Sequence, residues 1–343
     1  MRVHLVDPAA YTPPYDRALA AALARAGADV TLFTSPFDYG EVPPAPGVDV
    51  REFFYARSLP GPRRPARLAQ HVPDMLRYRR AARAADVVHF QWLSVQALDV
   101  HLLPGHPRVL TAHDVLPREP KPSQLTGQRR LYERMDAVVV HSEHGAARLR
   151  DELGLDPARI HVIPHGVLDN LRHAPAAPPF AKTKPVVLFF GLIRPYKGLD
   201  VLLEAWRRAA PDAELWVIGM PRMDTSWVHG PNVRTALRFV SDAELAGAFE
   251  AADLVVLPYR EIDQSGVLFT AMAFDKPLLL TRVGGFPEIE GAELVQPGDP
   301  DALAEALTRL LRDPSRLRPA NRAPYEWDAI AQRTLALYEG LQA

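Results

Sequence analysis

Short apolar runs alternate along the whole chain with longer stretches in which apolar residues recur at helical spacing. Continuous runs rich in Val, Leu and Phe are typical of strands buried on both faces of a parallel sheet. The pattern predicts strands in the first half at Val3–Val6, Asp29–Phe33, Val87–Phe90, Val109–Ala112, Ala137–His141 and Ile160–Ile163. In the second half it predicts Val186–Phe190, Leu215–Ile218, Val233–Ala236, Leu254–Leu257, Leu278–Thr281 and Glu293–Val295.

Regular alternation of strand and helix indicates α/β architecture with parallel sheets, and two self-sufficient sets of strands indicate two Rossmann-like domains. We expect the first domain over residues 1–168. Residues 169–184 are rich in Pro and Ala and lack periodicity, so we interpret them as a linker. The second domain is expected over 185–324. A last helix within 325–343 follows the second sheet and is expected to pack back across the linker.

Composition narrows the class of protein. A chain of 343 residues that is 48% hydrophobic is long enough for two cores. A net charge of −1 argues against a general nucleic-acid binder. There is no cysteine, which excludes disulfides and thiolate metal sites. No signal-peptide core and no apolar run of about 18 residues is present, so we expect a soluble, cytoplasmic protein.

The segment Arg51–Arg83 departs from this even balance because it holds nine arginines. One interpretation, which we favour, is a solvated helix pair on the first domain. The other is a basic rim that attracts an anionic acceptor or a lipid surface, which would make the protein peripheral to a membrane.

The segment Pro185–Ala205 carries the strongest candidate chemistry. A buried strand stops at Gly191, a short loop brings Arg194 and Lys197, and a helix follows. A cation-bearing turn between a parallel strand and a helix start is where α/β proteins hold phosphates. The sequence therefore predicts a diphosphate site, although a surface turn with two solvated cations fits the same residues. It is not a Walker loop, since the GK[ST] ending is absent.

A second anion site is predicted after the strand Leu254–Leu257. Ser265 is a plausible N-cap, and the amides of Gly266 and Val267 would be free in the first helical turn. The acids Glu261 and Asp263 stand just before it and suit sugar or ribose hydroxyls. The alternative is an ordinary capped helix.

Histidines follow three predicted strands of the first domain. His113, with Asp114, ends one strand, and His141 and His165 end two others. This is the sheet edge where doubly wound folds bind ligands, which favours contact with substrate. A metal site is disfavoured because the adjacent carboxylates and close spacings of metal motifs are missing. Thr281–Glu288 adds a Gly-Gly turn that allows close backbone approach, or is simply a tight turn.

The sequence motifs of this chain, in their order, resemble those of family 4 of the retaining glycosyltransferases. The resemblance covers most of the chain through DVVHFQW, TAHD, AVVVHSE, VIPHG, FFGLIRPYKG, ADLVVLP, AMAFDKP, TRVGG-PE and YEWDAIAQRTLALYEG. It implies the GT-B fold, two Rossmann-like domains whose parallel sheets face each other across a cleft, with the last helix crossing back to the first domain. It also implies transfer of a sugar from a UDP-, GDP- or ADP-linked donor without a metal or other cofactor, the second domain holding the donor and the first the acceptor.

The resemblance also implies roles for individual residues. Lys197 matches the family lysine on the diphosphate, His113 the histidine beside the transferred sugar, and Ser265–Val267 the helix-start amides. We assign Asp263 with His113 to catalysis. The remaining expectations are Gly191 and Arg194 on the diphosphate, Glu261, Gln264 and Thr270 on the donor sugar or ribose, and Tyr11, Tyr15 and His165 on the acceptor side.

Three positions depart from the family pattern. Thr270 replaces the second family glutamate, which usually grips the ribose, and Ile262 stands in strict register with the first, so that Asp263 or Glu261 takes its role. Leu192 stands where the family arginine follows the glycine, so Arg194 would have to reach in from a shifted position. The usual N-terminal Gly-Gly loop is replaced by the segment 11–15.

The sequence therefore predicts a retaining glycosyltransferase acting on a hydroxyl acceptor, such as a sugar, a lipid-linked sugar or a natural product. The alternatives are a GT-B sugar-nucleotide epimerase and a non-catalytic partner subunit that has lost donor binding. A two-domain solute-binding protein is disfavoured by the absent export signal.

Overall fold

The structure, a computed structural model, describes residues 1–37, 40–57, 63–93, 95–105, 107–116 and 122–343, without the side chains of 63, 64, 122 and 123. The chain divides into two units. The first combines Met1–Gly166 with Pro324–Ala343, and the second is Val167–Ala323.

The first unit is built on a parallel sheet in which the described residues form seven strands, in the order β3-β2-β1-β4-β5-β6-β7. The strands are β1 (Arg2–Val6), β2 (Asp29–Thr34), β3 (Asp49–Glu52), β4 (Val87–Phe90), β5 (Arg108–Thr111), β6 (Ala137–Val140) and β7 (Ile160–Val162). The helices of this part are α1 (Pro13–Arg25), α2 (Arg63–Ala81), α3 (Gln96–Leu102), α4 (Pro122–Glu133) and α5 (Glu143–Asp151). Successive strand residues enter different cores. Val87 packs in the core with α1, and Val88 packs in the core with α2 and α4.

The second unit repeats the architecture with a six-stranded parallel sheet in the order β10-β9-β8-β11-β12-β13. Its strands are β8 (Val186–Phe190), β9 (Glu214–Ile218), β10 (Val233–Ala236), β11 (Leu254–Leu257), β12 (Leu278–Thr281) and β13 (Glu293–Val295). Its helices are α6 (Leu199–Ala209), α7 (Asp242–Ala251), α8 (Gly266–Ala273) and α9 (Pro300–Arg312). The prediction of parallel α/β sheets in both halves is confirmed.

The chain then returns to the first unit as α10 (Trp327–Gly340), which packs on α1. The Trp327 ring lies so close to Gly166 that a β-carbon there would be 2.5 Å from it. Tyr338 is fully buried, and its hydroxyl lies 2.6 Å from Nδ1 of His89 in β4. The last helix is therefore part of the first unit's core.

Two expectations about the fold were wrong. The segment Arg51–Arg83 is not a helix pair, because its beginning belongs to β3, which pairs with β2. Among the described residues that follow, α2 and a short 3-10 turn are the helical elements. Residues 169–184 are not a free linker. They belong to the second unit, where Ala177 N donates to Ala243 O (2.9 Å) and Pro178 packs against Gly247 of α7.

Among the described helices, none combines the length and the apolar composition that crossing a membrane needs.

Candidate active site

The sheet order of the second unit determines where a ligand can bind. Successive strands run outward from β8 to β9 and β10 on one side, and from β11 to β12 and β13 on the other. The loops that follow β8 and β11 therefore diverge at a topological switch point, where open α/β sheets bind their ligands. Lys197 and Ser265, predicted as parts of two anion sites, follow these two strands.

Lys197 is buried at this switch point. It closes the 3-10 turn Pro195–Lys197, and its Nζ lies 5.0 Å from the centre of the Tyr259 ring. Gly191 has φ +120°, and a β-carbon there would lie 2.5 Å from Nζ. The backbone conformation at 191 therefore favours glycine, and any larger residue would also displace the ammonium group. A buried ammonium group at the end of a parallel strand, at the switch point of the sheet, suits an anionic ligand.

Arg194 lies beside this turn but faces solvent. Ile193 is buried and its amide donates to Met220 O (3.0 Å), so the flanking Leu192 and Arg194 are both exposed. In the described part of the chain Arg194 has no carboxylate partner, which leaves its guanidinium available to an anion.

Sequence reasoning missed Arg260, which holds the two loops together. Its guanidinium forms a bidentate pair with Asp200 of α6 (2.5 and 3.0 Å) and also donates to Pro195 O (2.8 Å). Behind it Gly198, with φ +66°, touches the backbone of Pro258 so closely that a β-carbon would lie 2.0 Å from the carbonyl oxygen. The pairing joins residues 60 positions apart, and no local pattern announces it.

Ser265 occupies the N-cap position of α8, as predicted, but its side chain makes no capping hydrogen bond. The serine is buried, and the amides of Gly266 and Val267 donate to no acceptor among the described residues. Amides at the positive end of a helix dipole are suited to binding an anion. Thr270 turns its hydroxyl inward and donates to Gly266 O (3.0 Å).

The loop before α8 presents three polar side chains of different exposure. Glu261 is exposed, Asp263 is half-buried, and the buried Nε2 of Gln264 has no hydrogen-bond partner within the described structure. Ile262 is buried against Gly284, where a β-carbon would lie 1.8 Å from the Ile262 carbonyl oxygen. The position in register with the family's first glutamate thus anchors the loop, and its neighbours carry the polar groups.

In the first unit the three histidines predicted at strand ends form one cluster. His113, His141 and His165 are buried, with ring centres 5.0 Å apart for the first two and 5.1 Å for the last two. Tyr15 packs against all three rings and is itself buried, so it supports the cluster from behind. In the described ranges no three His, Cys, Asp or Glu side chains are grouped so that they could hold a metal ion.

Hydrogen bonds fix the proton positions in this cluster. Nδ1 of His141 must donate to Ile163 O (3.0 Å), because a carbonyl oxygen only accepts. Burial lowers the pKa of His141 to about 4, so the ring is neutral near pH 7 and its Nε2 accepts from Nδ1 of His113 (3.2 Å). Burial, helped by His141, also lowers the pKa of His113 well below its usual value. His113 therefore carries an unprotonated Nε2, which has no partner among the described atoms.

His113 also lines a cavity of about 150 Å³ at the ends of β4 and β5, together with Trp92, Gln96 and Gln128. Trp92 stacks on Tyr11, with ring centres 4.0 Å apart and planes 13° apart. Tyr11 is 56% exposed, so the pair offers a flat aromatic surface beside the cavity. Tyr11 lies in the loop after β1 and Trp92 in the loop after β4. These two loops meet at the switch point of the first sheet.

A pair of buried carboxyl groups near β1 was also missed. Asp7 accepts from the amides of Ala9 (3.0 Å) and Tyr11 (2.5 Å), and so shapes the loop that carries Tyr11. Burial raises the pKa of Asp16 well above its usual range, and the Asp7 charge raises it further. Asp16 is thus the protonated partner that donates to Asp7.

Comparison with known proteins agrees with this fold. Residues 184–313 match the family described as glycosyl transferases group 1, and residues 17–170 match glycosyltransferase family 4. The D-inositol 3-phosphate glycosyltransferase of Segniliparus rotundus is 30% identical over 94% of this chain and 83% of its own. The sucrose-phosphate synthase of Thermosynechococcus elongatus has a similar fold, with a TM-score of 0.72 at 21% identity over 99% of both chains. The Anabaena protein HepE, solved in complex with UDP and glucose, gives a TM-score of 0.68 at 18% identity over 99% of this chain and 98% of that one.

The two parallel α/β units, together with these matches, define a glycosyltransferase of the GT-B class. The chain belongs to glycosyltransferase family 4.

Proposed function

We propose that the protein transfers a sugar with retention of anomeric configuration, without a metal, from a UDP-, GDP- or ADP-linked donor to a hydroxyl acceptor. The observation that carries this proposal is the buried Lys197 ammonium at the switch point, on the same sheet edge as the free amides that open α8. An ammonium group and a helix N-terminus at one crevice both attract negative charge and together suit a diphosphate.

The charge that develops on the leaving diphosphate would be stabilised by Lys197, by the amides of Gly266 and Val267, and by Arg194. This is the electrostatic work that a divalent cation performs in other transferases, and the presence of these groups supports a reaction that needs no cofactor. Arg194 is exposed without an acidic partner in the described region, so it can close on the phosphates once they bind.

Each unit, taken by itself, offers a sugar groups of defined hydrogen-bonding character. Nε2 of His113 can only accept, so its partner must be a donor, which favours a sugar hydroxyl over a phosphate oxygen. Nε2 of Gln264 can only donate and suits a sugar oxygen. Asp263, or Glu261, would accept from further hydroxyls.

In the proposed reaction, the bond between the anomeric carbon and the diphosphate oxygen breaks, and the acceptor oxygen bonds to that carbon from the same face. The acceptor proton passes to the departing phosphate oxygen, so that charge and atoms balance without another base. The protein contributes orientation and charge stabilisation.

We assign the acceptor to the first unit, at the cavity beside His113 and the stacked Tyr11 and Trp92. An exposed aromatic face suits the apolar face of a sugar or cyclitol ring. The names of the Segniliparus and Thermosynechococcus relatives point to cyclitol and sugar phosphates, which are therefore the first acceptors to test.

The test begins with calorimetry against UDP, GDP and ADP and continues with a donor panel for the nucleotide that binds. Arg194→Ala with Lys197→Ala is expected to abolish transfer without unfolding the protein, and Arg312→Ala, which changes an arginine at the end of α9 in the same unit, should leave turnover unchanged. Product NMR should show the donor's anomeric configuration, and EDTA should not slow the reaction.

Three outcomes would contradict the proposal. Near-normal turnover in the double variant would show that Arg194 and Lys197 do not form the diphosphate site. Isomerised nucleotide sugar without an acceptor would indicate an epimerase, and no binding of any nucleotide would indicate a non-catalytic partner subunit.

A further inference from the structure

Helix α2 buries Met75 and Tyr78 in the core of the first unit, but it also buries polar residues and leaves large apolar ones in solvent. Its buried residues include the polar Gln70, His71 and Asp74. Its solvent-facing side carries large apolar residues, of which Leu68 is 52% and Leu76 42% exposed. These two leucines are eight positions apart and therefore lie on one face of the helix. An amphipathic surface helix normally keeps its large apolar residues on the buried side, so the two exposed leucines are unusual.

The polar groups on the inner side are fully engaged, so the orientation of α2 is specified. Nε2 of His71 pairs with Asp99 of α3 at 2.6 Å, and Nδ1 lies 2.6 Å from the Tyr55 hydroxyl. Asp74 accepts from Tyr55 N at 2.8 Å and pairs with Arg77 at 3.4 Å. Rotating α2 to bury its leucines would break all of these contacts, so the two leucines stay outside.

Arginines continue the same exposed face. Arg79 and Arg80 follow Leu76 by three and four positions, and Arg83 lies in the 3-10 turn Ala82–Ala84. All three are exposed and have no acidic partner among the described residues. Arg77 differs because it pairs with Asp74 and lies 4.1 Å from the centre of the Phe53 ring. Residues 63–84 contain seven arginines and a single acid, the inward-facing Asp74.

We propose that this face of α2, defined by Leu68, Leu76, Arg79, Arg80 and Arg83, docks on an anionic lipid bilayer. The leucines would enter the boundary between headgroups and acyl chains while the arginines contact lipid phosphates. The unpartnered positive charge selects this occupant. A second copy would bring the same arginines together and be repelled, whereas an anionic bilayer satisfies both the leucines and the cations.

The proposal is tested by sedimentation of the full chain with vesicles of phosphatidylcholine alone and of an equal mixture with phosphatidylglycerol. Binding is expected to the mixed vesicles and to weaken with added salt. Replacing Arg79, Arg80 and Arg83 by Gln should lower affinity about a hundredfold, because each cation near the surface contributes a factor of about five. Leu68→Glu with Leu76→Glu should lower it at least about a hundredfold, because moving each leucine out of water is worth about tenfold.

A charge-matched control replaces Arg134, Arg312 and Arg318, three arginines outside α2, by Gln and should retain binding. Unchanged thermal melting would show that all variants fold. An equal loss of vesicle binding in the control would show that net charge alone causes the effect, and would overturn the proposal. So would failure of the wild type to sediment with mixed vesicles, or a dimer in light scattering that disappears in Leu68→Glu with Leu76→Glu.

Discussion

The contact between Gly191 and Lys197 gives the sharpest test of the donor site. In Gly191→Ala the new β-carbon would lie 2.5 Å from Nζ, whereas ordinary contact begins at 3.4 Å, so the ammonium must retreat by about 0.9 Å. Misplacing a catalytic group by about 1 Å can cost on the order of a hundredfold in rate. We therefore expect kcat/KM for transfer to fall about a hundredfold, with weaker calorimetric binding of the nucleotide. The backbone at φ +120° adds a loss of stability of about 1–3 kcal/mol.

A matched control separates the two effects. Gly40 has φ +129°, and no atom of the described residues lies within 4 Å of the place that a β-carbon would take there. Gly40→Ala therefore shares the backbone strain but displaces nothing, and it should melt earlier and keep its kcat/KM. In a Lys197→Ala background, Gly191→Ala should cause no further loss of nucleotide affinity, since the displaced group is already gone. If Gly191→Ala weakens nucleotide binding as much in that background as in the wild type, the reasoning is refuted.

Three further predictions concern the first unit. His141→Phe removes the acceptor of the His113 Nδ1 proton and leaves a buried donor unsatisfied, so kcat/KM should fall about tenfold to a hundredfold. His141→Gln can both donate and accept and should recover part of the lost kcat/KM. Equal rates in the two variants would contradict the proton assignment. Tyr338→Phe leaves Nδ1 of His89 unpaired and should cost about 1–3 kcal/mol in denaturant unfolding, and an unchanged midpoint would refute this. The raised pKa of Asp16 means that the folded state holds a proton that the unfolded state releases above about pH 4, so this carboxyl contributes less stability as pH rises. The free energy of unfolding of Asp16→Asn should therefore rise relative to that of the wild type as pH increases. Parallel curves of unfolding free energy against pH would be inconsistent with a protonated Asp16.

The sequence predicted strands well where both faces are buried. Runs such as Val186–Phe190 and Leu254–Leu257 stand out because neither face of a parallel strand meets water. It missed β3, Asp49–Glu52, which is an edge strand with mostly exposed side chains and therefore has no apolar run. Polar residues of this kind do not distinguish an edge strand from the start of a solvated helix.

For the candidate site, the sequence indicated which strand ends carry chemistry but not how the side chains meet. Three histidines at strand ends were visible, yet their proximity depends on β5, β6 and β7 being neighbours in the sheet. Tyr15 was expected at the acceptor side, and its burial behind the histidines depends on packing that its position in α1 does not reveal. Arg260 was invisible because its partner Asp200 lies in another strand–helix repeat.

The return of the chain to the first unit has a consequence for biosynthesis. Gly166 is packed against Trp327, and His89 is hydrogen-bonded to Tyr338. The first sheet therefore depends on a helix that the ribosome makes only after all of Val167–Ala323. The second unit is continuous in the chain and can fold as it emerges. Until α10 arrives, the core around α1 lacks the residues Trp327, Ile330 and Tyr338 that complete it. The unit that is synthesised first is therefore the one that finishes folding last, and nascent chains spend that interval with an incomplete core available to chaperones.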